Sequence, residues 1–146
     1  MPRLLLLKIA LGIDGASSNN SLGMFDDMKS LALVQRVGSG DPAALAPEEV
    51  LSFATVNGAR SQGRADCGLI KEGCRADLTL IHTASLHFYP RRHLINHLIY
   101  SADNSDVVMT VVDGKIVYDH GDFPTIDTEK VMFTMERDFD AVVNAL

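Results

Sequence analysis

The densest group of polar, chemistry-capable side chains is Asp14-Gly15-Ala16-Ser17-Ser18-Asn19-Asn20, which follows directly on an apolar run ending at Ile13. A carboxylate at the carboxyl end of a buried strand, with small residues around it, can approach a ligand closely. Such an aspartate can bind a metal ion or act as a base. In parallel α/β folds this strand end is where ligands sit. The same residues also make an ordinary turn and helix cap, because serine, asparagine and aspartate side chains bond readily to nearby backbone.

Two other spacings invite chemistry. His93 and His97 lie four apart and would share one face of a helix. The residue after His93 is Leu94, not the glutamate that a zinc-protease motif needs, so local hydrogen bonding of the imidazoles is the simpler expectation. Arg91 and Arg92 before them read as a solvated face. Cys67 and Cys74 are the two cysteines, too few and too widely spaced for a disulfide framework or a zinc knuckle. They read as partly buried thiols of a reducing, cytoplasmic compartment.

The elements that would position these residues follow from periodicity. Lys8 to Ile13 reads as a short strand buried on both faces. Met24, Phe25, Met28, Leu31 and Ala32 recur at helical spacing up to about Val37, and the stretch from Gly38 to Pro42 reads as a loop. Pro47, Glu48 and Glu49 open a second helix with Val50, Leu51 and Ala54 on its apolar face, and Asn57-Gly58 is a plausible break. The second half is richer in strands. Asp77 to His82 alternates, and Val107–Val112, Asp113-Gly114 and Lys115–Tyr118 form the clearest hairpin, with a type I′ turn. Asp127 can cap a last helix whose Val131, Met132, Met135, Phe139, Val142 and Leu146 make one stripe, expected to pack on the sheet or on a second copy.

The 146 residues amount to one domain's length, 47% hydrophobic and 22% charged, as in ordinary globular proteins. With 13 basic and 19 acidic residues the net charge is −6, so nucleic acid is not an expected partner. The run from Leu4 to Leu7 is interrupted by Lys8 and reads as a helix end feeding the first strand rather than a secretion signal. No segment has the roughly 20 apolar residues of a membrane span. One difficulty remains: a strand buried on both faces needs parallel neighbours, and no further strand–helix unit of that type exists here.

Leu11 to Asn20 resembles the last barrel-strand motif of the amidohydrolase superfamily, in the branch of methylthioadenosine/S-adenosylhomocysteine deaminases, guanine-type deaminases and triazine chlorohydrolases. Ala54 to Arg60 resembles that branch's helix motif, Gly68 to Ile81 its return into a small β-domain, and His97–Ala102 with Ser105–Val107 and Val112–Val117 its terminal strands. The resemblance runs from about Leu4 to Met135. It implies an α/β chain: the C-terminal fragment of a (β/α)8 metal-dependent hydrolase barrel plus part of its small antiparallel β-sandwich. The expected partition is 1–63 for the terminal barrel strand and following helices, 64–126 for sandwich strands, and 127–146 for the C-terminal helix.

The family's zinc or iron ion is held by a His-x-His pair, two further histidines and an aspartate, which Asp14 matches. There Asp14 would be both metal ligand and catalytic proton shuttle, with Ser17, Ser18, Asn19 and Asn20 on the substrate side. The sequence has no His-x-His pair, and His82, His87, His93, His97 and His120 all fall outside the family's ligand positions. Ile13 replaces a threonine and Gly23 an acidic residue common in the family. The expectation is a deaminase-like portion acting on an aminopurine or related nitrogen heterocycle, inactive and metal-free alone. The alternatives are a self-associating, non-catalytic homo-oligomer and one half of a split hydrolase awaiting its N-terminal portion.

Overall fold

A computed structural model describes residues 9–144, so the Leu4–Leu7 helix end and Leu146 lie outside the described residues. Among the described residues, five α-helices and three strands follow in the order α1 (Met24–Ser39), α2 (Pro47–Ala54), α3 (Val56–Ser61), β1 (Leu78–Ile81), α4 (Leu94–Tyr100), β2 (Val107–Val112), β3 (Lys115–Asp119) and α5 (Thr128–Val143).

The helical part is held by a small apolar centre. Met28 and Ala32 of α1, Val50 of α2 and Ile99 of α4 are all buried together, with Leu11, Phe25, Leu51 and Tyr100 packed around them. Burial of the larger of these side chains, Met28, Val50 and Ile99, contributes about 1.5–3 kcal/mol each. α1 runs two residues past Val37, because its stop is Gly40 at φ +67°, whose N–H bonds back to the Val37 carbonyl. Ser39 stays helical by donating its hydroxyl to the Gln35 carbonyl at 2.7 Å. α2 starts at Pro47 as expected, and Glu49 reaches back to accept the Ala46 N–H at 3.0 Å.

The break after α2 falls at Thr55 (φ −121°, ψ −95°), not at Asn57-Gly58, which lie inside α3. The cause is long-range. Gly68 crosses so close that a Cβ on it would stand 2.7 Å from Val56 Cα. Asn57 instead spends its amide on the Ile9 carbonyl at 3.1 Å.

The expected first strand is corrected in the same region. Residues 9–13 carry no strand ladder, and alternate between half-buried and exposed rather than being covered on both faces. Leu11 donates its N–H to the Phe53 carbonyl at 3.0 Å, and no strand among the described residues lies alongside. A segment with the composition of a central strand therefore has no partner strand among the described residues, and its Leu11 N–H and its Ile9 and Ile13 carbonyls are met instead by Phe53, Asn57 and Asn19.

The sheet is antiparallel in the order β1-β2-β3, with Leu80 opposite Met109 and Thr110 opposite Tyr118. The hairpin turn has both central residues in the left-handed region, Asp113 at φ +51° and Gly114 at φ +75°, which is the type I′ signature. Asp77 ties the turn to β1 by accepting the Asp113 N–H at 2.7 Å.

Asp127 caps α5 through the Lys130 N–H at 2.9 Å. The stripe behind that cap does not pack on the sheet: Met132, Met135, Phe139 and Val142 are 58%, 65%, 68% and 62% exposed. No helix among the described residues is long and apolar enough to cross a membrane.

Candidate functional site

Asp14 sits at the tip of the unpaired segment, in the left-handed region at φ +59°, with its side chain exposed. Aspartate tolerates this conformation better than most residues because its short side chain bonds locally. Here Oδ1 accepts the N–H of Gly15 at 2.7 Å. Oδ2 meets no donor among the described residues, so one carboxylate oxygen is available to a ligand.

The loop after Asp14 is a compact turn. The N–H groups of Ser18 and Asn19 both donate to the Gly15 carbonyl at 2.9 Å. Asn19 Nδ2 donates to the Ile13 carbonyl at 2.9 Å and to Asp27 Oδ2 at 3.0 Å, while its Oδ1 accepts from the N–H and the hydroxyl of Ser21, each at 3.2 Å. Ser17, Ser18 and Asn20 are exposed beside Asp14; Asn19 is half-buried. Asp27 and Ser21 were not singled out by residue type or spacing. The available signal was only that Asp27 lies in the first turn of α1, where carboxylates are common in any case.

Among the described residues no group of three or more His, Cys, Asp or Glu side chains is placed to hold a metal ion. The rings of His87, His97 and His120 have other partners, and His82 is engaged through its backbone. His87 Nε2 lies 2.9 and 3.1 Å from the two carboxylate oxygens of Asp106, which is only 4% exposed and also accepts the Asp103 N–H at 3.0 Å. His82 donates its N–H to the Asp106 carbonyl at 2.7 Å. His97 bonds through Nε2 to the Pro90 carbonyl at 3.0 Å, and His93 stands at the start of α4. His120 pairs with Asp119. Asp14 can offer one carboxylate oxygen to an ion, and the described residues do not supply the about three protein ligands that a catalytic ion needs.

A charge network ties the second half to the first. Arg75 bridges Asp66 at 3.0 Å and Asp113 at 3.1 Å, and Arg64 meets Asp77 at 3.0 Å. The Arg75 guanidinium holds the Asp66 carboxyl below the usual carboxylate range. The Asp113 N–H does the same for Asp77, and the Ser105 hydroxyl and N–H for Asp103. Burial pushes the Cys67 thiol up, reinforced by the neighbouring Asp77 and Asp66 carboxylates. A cleft of about 950 Å³ is lined by apolar groups such as Leu11, Ile13, Met28, Leu51 and Val107, and Asp14 is not among its lining residues.

The model of the amidohydrolase family matches residues 3–117. The chain belongs to the amidohydrolase family. It is 42% identical over 137 residues to a 5-methylthioadenosine/S-adenosylhomocysteine deaminase of Dictyoglomus turgidum, covering 93% of this chain and 32% of that protein. It is 40% identical over 126 residues to a 5'-deoxyadenosine deaminase of Methanosarcina acetivorans, covering 86% of this chain and 29% of that protein. Among solved structures it superposes on an adenosine deaminase from Xanthomonas campestris with bound zinc, with a TM-score of 0.89 and 29% identity over 94% of this chain and 32% of the other. An atrazine chlorohydrolase from Arthrobacter aurescens, complexed with zinc, shares the fold at a TM-score of 0.76 and 20% identity over 90% of this chain and 29% of the other. The chain therefore spans about a third of the length of the relatives it matches. Its α/β content and small antiparallel sheet are part of the amidohydrolase fold.

Proposed function

We propose that this chain is the C-terminal portion of a metal-dependent amidohydrolase that releases ammonia from an aminopurine or a related nitrogen heterocycle, and that it is inactive alone. The observation that carries this reading is the exposed Asp14 carboxylate, with one oxygen uncommitted, on a chain of the amidohydrolase family. The names of the deaminase relatives support the substrate class. In the reaction, water adds to the amine-bearing ring carbon, a C–O bond forms, the C–N bond breaks, and ammonia leaves with a proton taken from that water. A bound zinc or iron ion would lower the pKa of water toward about 7. Asp14 would give the ion one oxygen and carry the proton between water and leaving group, while Ser17, Ser18, Asn19 and Asn20 form the substrate-side wall. In this account 1–63 is the end of the barrel, 64–126 belongs to the sandwich and 127–146 is an appended helix.

A second reading is favoured by one observation, the solvent-facing apolar stripe of α5. It makes the chain a self-associating homo-oligomer, or one half of a split hydrolase that docks an N-terminal portion. The test is ammonia release from 5'-deoxyadenosine and related aminopurines. The assay uses the chain alone and the chain co-expressed with an N-terminal portion carrying the His-x-His pair. We expect no turnover alone, turnover in the complex, and its loss with Asp14→Asn. A complex as active with Asp14→Asn as without it contradicts the proposal.

A further inference from the structure

Asp14 is bracketed by a single neighbour. Asn19 Nδ2 donates to the carbonyl of Ile13, immediately before Asp14, at 2.9 Å. The backbone N–H of Asn19 donates to the carbonyl of Gly15, immediately after Asp14, also at 2.9 Å. The second amide proton of Asn19 goes to Asp27 Oδ2 at 3.0 Å, anchoring the bracket to the first turn of α1. The amide oxygen accepts twice from Ser21. Both donors and the acceptor of the carboxamide are therefore used, and only its NH2 end can face a carbonyl and a carboxylate together, so its orientation is determined. In the substrate-side wall Asn19 therefore contributes its fixed shape, with neither side-chain donor left to bind substrate.

The bracket has a conformational consequence. Asp14 holds φ +59°, a region that residues with a side chain rarely enter. Such a conformation persists when the surroundings over-determine it. Here the carbonyls on both sides are fixed by one residue, and that residue is fixed by a helix. The direction of the Asp14 Cα–Cβ bond follows from this, and with it the direction of the uncommitted carboxylate oxygen.

We propose that Asn19 and Asp27 are positioning residues that aim the Asp14 carboxylate at the ion of the completed enzyme. This rests on the reading of Asp14 as an ion ligand. Groups that orient a metal ligand without touching the metal cost about ten- to a hundred-fold in metal affinity or activity when removed. Asp27→Asn keeps an acceptor oxygen for the Asn19 amide, whereas Asp27→Ala does not.

The test has two arms. In the first, NMR on this chain reads the Asp14 φ from its three-bond HN–Hα coupling in wild type, Asn19→Ala, Asp27→Ala and Asp27→Asn. The two alanine variants should lose the left-handed Asp14, and Asp27→Asn should keep it. In the second, the same variants are completed with the N-terminal portion, and zinc affinity is read by chelator competition alongside kcat and KM. The alanine variants should bind zinc about ten- to a hundred-fold more weakly and lose kcat, with KM nearly unchanged, and Asp27→Asn should restore both. Folded alanine variants that keep the Asp14 conformation and the zinc affinity of wild type overturn the proposal. If Asn19→Ala does not fold, the Asp27→Ala and Asp27→Asn pair decides by the same readouts. A wild-type complex that takes up no zinc overturns the reading of Asp14 itself, a result distinct from an Asn19 or Asp27 effect missing in a complex that does bind zinc.

Discussion

Gly68→Ala is the substitution whose cost can be worked most directly from the geometry. Gly68 has φ +80°, and a Cβ there would lie 2.7 Å from Val56 Cα, 2.8 Å from Val56 N and 2.9 Å from Thr55 C. Entering the left-handed region costs an L-residue about 1–2 kcal/mol. Crowding a packed site adds about 1–3 kcal/mol, here at the upper end because the obstructing atoms are backbone and cannot rotate away. The sum is about 3–5 kcal/mol, a large part of the about 5–15 kcal/mol that holds a typical domain folded. Gly63→Ala isolates the first contribution: φ is +74° but nothing lies within 4 Å of its Cβ, so about 1–2 kcal/mol is expected. Urea unfolding followed by circular dichroism should rank wild type, Gly63→Ala and Gly68→Ala in falling order of midpoint. The break between α2 and α3 also holds Ile9 through Asn57 and Leu11 through Phe53, so Gly68→Ala should loosen the segment leading to Asp14, read as faster amide exchange at Leu11. Equal midpoints for the two alanine variants would refute the steric reasoning.

Three further outcomes follow from the same structure. Cys67 is 5% exposed and its thiol is pushed up by burial, so an alkylating reagent at neutral pH should modify Cys74 first and reach Cys67 only on unfolding, as read by mass spectrometry. Asp66, Asp77 and Asp103 are held below the ordinary carboxylate value of about 3.9. Their stabilisation is therefore complete above that value and is lost as pH falls through their lower folded values. Urea midpoints should drop on acidification below it, and Asp77→Asn should lower the midpoint at neutral pH while losing less on acidification; a drop as steep as that of wild type argues against the assignment. Met135→Ser with Phe139→Ser removes two exposed apolar side chains of α5. If α5 drives self-association, light scattering should show an oligomer for the wild-type chain and a monomer for the double variant, and a wild-type monomer at high concentration discards that reading.

Features encoded within a few residues were legible in the sequence. Asp113-Gly114 between two β-branched runs specified its turn, Asp127 its cap and Pro47 its helix start, because each works through neighbours along the chain. The misread features depend on distant residues. Thr55 rather than Asn57-Gly58 carries the break because Gly68, far along the chain, presses against Val56. The run from Lys8 to Ile13 has the composition of a paired strand, but pairing needs a neighbour that composition cannot supply. Asp14 could be singled out from its position after an apolar run. The Asn19–Asp27 contact that braces it could not, since an asparagine in a turn and an aspartate in a helix's first turn are each unremarkable alone. The apolar stripe of α5 was readable as a stripe, while its exposure was not, because periodicity reports which side chains share a face and not what lies opposite.

On the proposed function, Asp14 is one donor to an ion whose remaining ligands come from an N-terminal portion of the enzyme. Calorimetric titration of zinc tests it most directly, with the chain alone, with the chain completed by the N-terminal portion, and with Asp14→Asn in that complex. We expect no tight zinc binding by the chain alone, one zinc per complex for wild type, and markedly weakened binding for Asp14→Asn. One zinc bound tightly by the chain alone, or a complex in which Asp14→Asn binds zinc as well as wild type, would contradict it.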